Sequence, residues 1–234
     1  ITLAPDGVGT GVLNISGANG ITTGAITATT INASGLTGTS ALVMSGVTQT
    51  ATSITGTANA DTLIASAAGT LIEAGAGTDS IVGAAGNDTL RGAAGNDTIT
   101  AGTGNDTIDG GEGNDRILLA GNLTAADTVD GGAGTNTAVI TAAVATAAIG
   151  ARLSNIQTLE TSAVAQDMSV FGNTTITTIA QSGAALAVTN AGATLNTFNV
   201  VDPLANPSAT PPVLPTAVQI NSSFRRATDT ATNA

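Results

Sequence analysis

Residues 83–118 read GAAGNDTLRGAAGNDTITAGTGNDTIDGGEGNDRIL, four nine-residue units in direct succession. The frame extends upstream as GTANADTLI from Gly56, ASAAGTLIE from Ala65 and AGAGTDSIV from Ala74, making seven consecutive repeats over residues 56–118. Position eight is apolar without exception: Leu63, Ile72, Ile81, Leu90, Ile99, Ile108 and Ile117. Position six is Asp61, Asp79, Asp88, Asp97, Asp106 and Asp115, with Thr70 the one departure. Position four is glycine in the last five repeats. A strict period of this length is the signature of an architecture in which each repeat stacks on another to bury a shared core.

Each position has a physical task. Positions one to six are Gly, Ala, Asn and Asp, which are small or tolerant of positive φ and suit a tight turn. Positions seven to nine, such as Thr98-Ile99-Thr100, predict a three-residue strand whose middle side chain points inward. Burying that side chain contributes about 1.5–3 kcal/mol, while ordering the backbone costs about 1–2 kcal/mol for every residue of the repeat. Stacking must supply the difference, and stacking creates a second problem. Equivalent acids of successive coils would lie about 4.8 Å apart and repel by about 1–4 kcal/mol per pair. A divalent cation between them converts the penalty into binding.

The donors available to such a cation are oxygens. They are the carboxylates of Asp61, Asp79, Asp88, Asp97, Asp106, Asp115 and, beyond the seven repeats, Asp127, together with turn carbonyls at Gly77, Gly86, Asn87, Gly95, Asn96, Gly104, Asn105, Gly113 and Asn114. Hard oxygen donors in flexible number select Ca²⁺, and the His and Cys that Zn²⁺ favours are absent from the chain. Mg²⁺ demands stricter octahedral geometry and is the second choice.

These repeats resemble the RTX (repeats-in-toxin) family, whose unit is G-G-x-G-x-D-x-U-x with U apolar. The resemblance implies an all-β fold, a right-handed parallel β-roll in which two nonapeptides make one turn and successive repeats alternate between two edges. One edge would then carry Asp61, Asp79, Asp97 and Asp115, the other Thr70, Asp88 and Asp106. Ions would sit between Asp61 and Asp79, Asp79 and Asp97, Asp97 and Asp115, and Asp88 and Asp106, with the site beside Thr70 weakened or lost. After Leu118 the frame slips by three residues and resumes as NLTAADTVD from Asn122 and GGAGTNTAV from Gly131. An Asp106–Asp127 site extends the second edge, whereas pairing Asp115 with Asn136 loses a charge. Asp109, Glu112 and Asp130 fall off the ligand register and are expected to be solvated.

Four segments follow. Residues 1–55 form a β-rich N-terminal flank with Ile21, Ile26, Ile31 and Leu36 spaced by five, which fits β-helix-type short strands and an irregular β-sandwich equally well. Residues 56–139 form the calcium-binding β-roll. Over residues 140–200 an apolar-x-Thr-apolar pattern recurs as Ile156-Gln157-Thr158-Leu159, Ile176-Thr177-Thr178-Ile179 and Leu195-Asn196-Thr197-Phe198, and Met168 and Val170 recur as Leu186 and Val188. A β-helix-like, metal-free continuation of the stack is expected there. Residues 201–234, with Pro203, Pro207, Pro211, Pro212 and Pro215, read as a linker and polar tail in which strand propagation stops.

Composition narrows the function. The 234 residues carry 16 acids against 5 Arg and no Lys, a net charge of −11. Of those acids, eleven fall between Asp61 and Asp130. Nucleic acid is disfavoured as a partner, because neither a basic face nor aromatic stacking platforms are present. Without His, Cys, Lys or Tyr, a Ser-His-Asp triad, a Cys nucleophile and a Lys base are unavailable, so no enzyme is expected. No apolar run approaches the roughly 18 residues of a membrane span, so no membrane insertion is expected. The chain begins at Ile1 with no signal peptide visible and reads as an internal or processed piece of something longer.

A second resemblance follows from the Ala, Gly and Thr richness, the missing Lys and Cys, and LSNIQTLETS at residues 153–162. These features look like surface-layer (S-layer) proteins of Gram-negative bacteria, in which RTX blocks alternate with β-helical stretches bearing an "I-E-T-L" phrase. Gln157 stands where that phrase has its acid. The resemblance implies type I secretion, an extracellular location at the cell surface, calcium-dependent self-association in a lattice, and cell-surface polysaccharide as a further candidate partner. The alternative is the repeat domain of a secreted RTX adhesin or toxin.

Overall fold

The computed structural model describes residues 11–24, 26–45, 50–67, 69–120, 122–142, 150–161, 166–167, 175–182, 188–189 and 197–201. The described residues form a β-solenoid of two long parallel sheets. One sheet stacks β1 (Val12–Gly17), β3 (Thr30–Leu36), β5 (Ser53–Thr55), β7 (Leu71–Ala76), β9 (Thr89–Ala94), β11 (Thr107–Glu112), β13 (Thr128–Asp130) and β15 (Leu153–Ser154). The other stacks β2 (Ile21–Thr23), β4 (Leu42–Met44), β6 (Thr62–Ile64), β8 (Ser80–Val82), β10 (Thr98–Thr100), β12 (Arg116–Ala120), β14 (Thr137–Ile140), β16 (Thr158–Thr161), β18 (Thr178–Ser182) and β20 (Thr197–Val201). Strands therefore alternate between sheets along the chain, two nonapeptides to a coil. No helix of the described residues is long and apolar enough to cross a membrane.

The register is that of the repeat. Position eight pairs with position eight on both sheets: Ile54, Ile72, Leu90, Ile108 and Val129 form one column, and Leu63, Ile81, Ile99, Ile117 and Ala138 the other. All are buried, and the core of the roll is these two columns of aliphatic side chains joined by the buried position-one alanines Ala65, Ala74 and Ala101. Because side chains alternate across a strand, the residues on either side of each column point outward. The three-residue slip lies between Leu118 and β13 and begins with a one-residue bulge between Leu118 and Ala120, with Leu119 turned inward; the pairing of the next coil is Arg116 with Thr137 and Thr107 with Thr128.

Three features differ from expectation. The strands of the first sheet are not limited to three residues: β7, β9 and β11 each span six, running through positions one to three of the next turn. In the N-terminal flank, parallel pairing of β1 with β3, β3 with β5 and β2 with β4 joins β1 to β5 to the same two sheets and removes the sandwich alternative. The five-residue spacing is realised by placing Ile31 and Leu36 in the long strand β3, with a register shift between Asn14 and Ser16 opposite. Beyond the roll, Leu159, Ile179 and Phe198 pair in register, as the apolar-x-Thr-apolar pattern requires. Val188 instead pairs with Gln166, in the short parallel pair β17 (Gln166–Asp167) and β19 (Val188–Thr189); Met168, Val170, Leu186, Leu195, Asn196 and residues 202–234 lie outside the described residues.

Candidate metal centre

Each turn ends by turning its position-six side chain inward, directly before the strand that fixes the following residue in the sheet. Asp61, Asp79, Asp97 and Asp115 lie along one edge with Asn136 after them, and Thr70, Asp88, Asp106 and Asp127 along the other; all are buried. A continuous ladder joins them. Asp79 Oδ1 accepts the backbone N–H of Asp61 at 2.7 Å, Asp97 Oδ1 that of Asp79 at 2.8 Å, and Asp115 Oδ1 that of Asp97 at 2.9 Å. Asn136 Oδ1 receives Asp115 N–H at 2.9 Å. On the second edge Asp88, Asp106 and Asp127 accept from Thr70, Asp88 and Asp106 at 2.7, 3.0 and 2.8 Å.

One carboxylate oxygen is therefore used to hold the preceding coil, and the other defines the chemistry. The Oδ2 atoms of Asp79, Asp88, Asp97 and Asp115 are buried without a hydrogen-bond partner. A buried unpartnered oxygen is costly when neutral and far more so when ionised. Desolvation pushes the carboxyls of Asp79, Asp88 and Asp97 up to about 6, reinforced by the neighbouring acids of their own edge and opposed by the ladder hydrogen bonds. Desolvation raises Asp61, Asp106 and Asp115 as well.

Oxygens converge around these atoms. A Cβ built on Gly110, at position one of its turn, would meet Asp115 Oδ2 at 2.5 Å and the Gly131 carbonyl oxygen of the next coil at 2.6 Å. Positions two and four both take left-handed backbone, as at Gly75 and Gly77 (φ 112° and 142°) and Gly111 and Gly113 (φ 102° and 132°). Position two is Ala84 and Ala93 in two turns, held at φ 60° and 73° without glycine's freedom. The carbonyls of Gly77, Gly86, Gly95, Gly104 and Gly113, and of Asn87, Asn96, Asn105 and Asn114, accept no hydrogen bond from the described residues. Among the described residues no three acidic side chains come together to hold a metal, so an ion between two carboxylates would complete its shell from these carbonyls. Unpartnered carboxylate and carbonyl oxygens, with no nitrogen or sulfur donor, fit Ca²⁺.

The asparagines at position five have a role that the repeat pattern alone leaves silent. Asn87 Oδ1 accepts Asn105 N–H at 2.9 Å, and Asn96 and Asn114 accept from Asn114 and Thr135 at 2.7 and 2.8 Å. This outer ladder is directed toward the next coil, opposite in sense to the aspartate ladder. The signal was the recurrence of Asn at one position, which a turn preference explains equally well. Of the off-register acids, Asp109 and Glu112 are exposed. Asp130 is not simply solvated: its Oδ1 accepts from Gly132 N–H at 2.9 Å and Asn155 Nδ2 at 2.7 Å.

A parallel solenoid with buried, unpartnered carboxylates at its turns is the class of protein that the fold and site define. The RTX calcium-binding nonapeptide repeat is found in four copies in this chain, over residues 55–90, 69–99, 91–121 and 124–138. The chain thus carries RTX calcium-binding repeats, a repeat typical of secreted extracellular proteins. Neither the curated proteins nor the solved structures include a match.

Proposed function

We propose that this chain is a calcium-dependent structural component of a bacterial cell surface layer, folding and assembling outside the cell on Ca²⁺ bound between its RTX repeats. The observation that carries the calcium reading is the row of buried Oδ2 atoms on Asp79, Asp88, Asp97 and Asp115 that no protein donor reaches. Asp79 with Asp97, Asp97 with Asp115, Asp88 with Asp106, and Asp61 with Asp79 are the carboxylate pairs proposed to share ions, with Asp106 and Asp127 a further pair. Bound Ca²⁺ supplies the positive charge that lets like-charged coils stack, so binding free energy becomes folding free energy. Roll turns that need millimolar calcium to fold stay open where calcium is scarce and complete the stack where it is abundant.

The surface-layer reading is supported by the metal-free coils that continue the stack, where Leu159 and Glu160 lie in β16 directly over β14. Arg116 of the acidic roll reaches Glu160 with two hydrogen bonds of 2.5 and 3.0 Å, tying the two kinds of coil together. Such a mixed rod suits a building block whose role is shape and contact rather than catalysis. The test is electron microscopy of the chain in chelator and in millimolar Ca²⁺. Ordered sheets that form with calcium and disperse on its removal support a lattice component. Separate rods, with no sheets, in millimolar Ca²⁺ favour the repeat domain of an adhesin or toxin.

A further inference from the structure

Four turns supply their own cap, and they bracket the turns that do not. In the turn before Asp61, Thr57 donates its N–H to Asp61 Oδ2 at 2.6 Å and its hydroxyl to Oδ1 at 3.0 Å. In the next, Thr70 replaces the carboxylate: its hydroxyl accepts Ser66 N–H at 3.0 Å and donates to the Ala51 carbonyl at 3.2 Å. At the far end Thr124 N–H reaches Asp127 Oδ2 at 2.6 Å. Asn136 puts an amide where Asp115 has its second oxygen, and Nδ2 donates to the carbonyls of Asn155 at 3.1 Å and Gly132 at 3.4 Å. A hydrogen-bond donor thus lies between oxygens that an aspartate would leave facing one another. Between these ends, Asp79, Asp88, Asp97 and Asp115 have no such donor.

We infer that the calcium requirement is confined to the turns from residue 74 to residue 115, and that the coils on both sides fold without metal because Thr57, Ser66, Thr124 and Asn136 take the place of the ion. This rests on the calcium reading above and narrows it to the pairs Asp79–Asp97, Asp97–Asp115 and Asp88–Asp106, because Asp61 and Asp127 already accept from Thr57 and Thr124. Strands β1 to β6 then form a standing template whose last members, β5 and β6, offer edges to β7 and β8. The stretch from β7 to β12 becomes a calcium-gated insert between two permanent ends. The self-capped turns also make the ion column finite, since a coil whose oxygens are already satisfied gains nothing from a cation.

Hydrogen exchange with mass spectrometry on the full chain, in chelator and in millimolar Ca²⁺, tests this. Strands β1 to β6 and β13 to β16 are expected to be protected in both solutions, and β7 to β12 only with calcium. If the flanks exchange as fast as the centre in chelator while calcium protects everything, the inference fails and the calcium reading stands. If all strands are equally protected in both, the calcium reading fails and the inference with it. Asn136→Asp supplies an independent check by restoring an acceptor between carbonyls. It is expected to make protection of β13 and β14 calcium-dependent and to raise the calcium bound per chain; unchanged protection and unchanged stoichiometry would overturn the role given to Asn136.

Discussion

Asp97 accepts the backbone N–H of Asp79 on Oδ1 at 2.8 Å and donates its own backbone N–H to Asp115 Oδ1 at 2.9 Å, so one residue fixes the spacing of three coils. Replacing it by alanine strands a buried N–H on Asp79, at a cost of about 1–3 kcal/mol, and removes a carboxylate from two proposed ion pairs. Asp109, exposed on the outer face, offers a control of the same residue type for which a change within about 0.5 kcal/mol is expected. Circular dichroism during calcium titration should therefore place the midpoint of Asp97→Ala well above that of Asp109→Ala. Equal midpoints would count against the alternating-edge geometry.

Much of this was legible because period and residue type coincide. A nine-residue repeat with one invariant aliphatic position must put that position in the core, and the columns from Ile54 to Val129 and from Leu63 to Ala138 follow from it. The same spacing sorted the position-six residues onto two edges, and it survived the slip because an inserted segment can bulge without breaking the ladder. What stayed hidden depends on hydrogen-bond direction. That Asp Oδ1 holds the preceding coil, that Asn Oδ1 holds the next, and that Thr57 and Thr124 close their own turns are choices among equally spaced partners. The N-terminal flank was ambiguous for a different reason: its strands vary in length and carry a register shift, so period alone could not separate a stack from a sandwich.

Gly95 tests close packing of the turns. A Cβ there would collide with the Gly77 carbonyl of the preceding coil, and φ is 133°. Gly38 has φ 72° but nothing within 4 Å of such a Cβ. Gly38→Ala therefore meets only backbone strain of about 1–2 kcal/mol, whereas Gly95→Ala must also move a coil and displace a proposed ligand carbonyl. Thermal unfolding in calcium should show a clearly larger drop for Gly95→Ala; similar drops would mean that the turns are not in contact as described.

Ala84 and Ala93 present the reverse case, alanine where the backbone favours glycine. At φ 60° and 73° each carries left-handed strain that a glycine relieves. Ala93→Gly is expected to stabilise the calcium-loaded protein by about 0.5–1 kcal/mol, net of the greater freedom that glycine gives the unfolded chain. The calcium midpoint should fall with it. A loss of stability by chemical denaturation would show that the Ala93 methyl contributes packing that outweighs the strain.

Acid should act in opposite directions on the metal-free and calcium-loaded forms. In the metal-free chain Asp79, Asp88 and Asp97 are pushed up to about 6 from an ordinary 3.8, mainly by desolvation. Between those two values the folded form holds protons that the unfolded form has released. Stability from these groups is therefore fully present below 3.8 and is lost as pH rises through about 6. In chelator, lowering the pH from about 7 to about 5 should raise the melting temperature or increase β-structure, because a protonated carboxyl neither repels its neighbour nor needs a cation. In millimolar calcium the same change should lower the melting temperature, since protons compete with Ca²⁺ for the same oxygens and the carboxylates must be ionised to bind. Melting followed by circular dichroism at both pH values, with and without calcium, gives the four measurements needed. Acid stabilisation in both solutions would mean that calcium does not occupy these carboxylates, and acid destabilisation in both would mean that they are not buried as neutral-favouring groups in the metal-free chain.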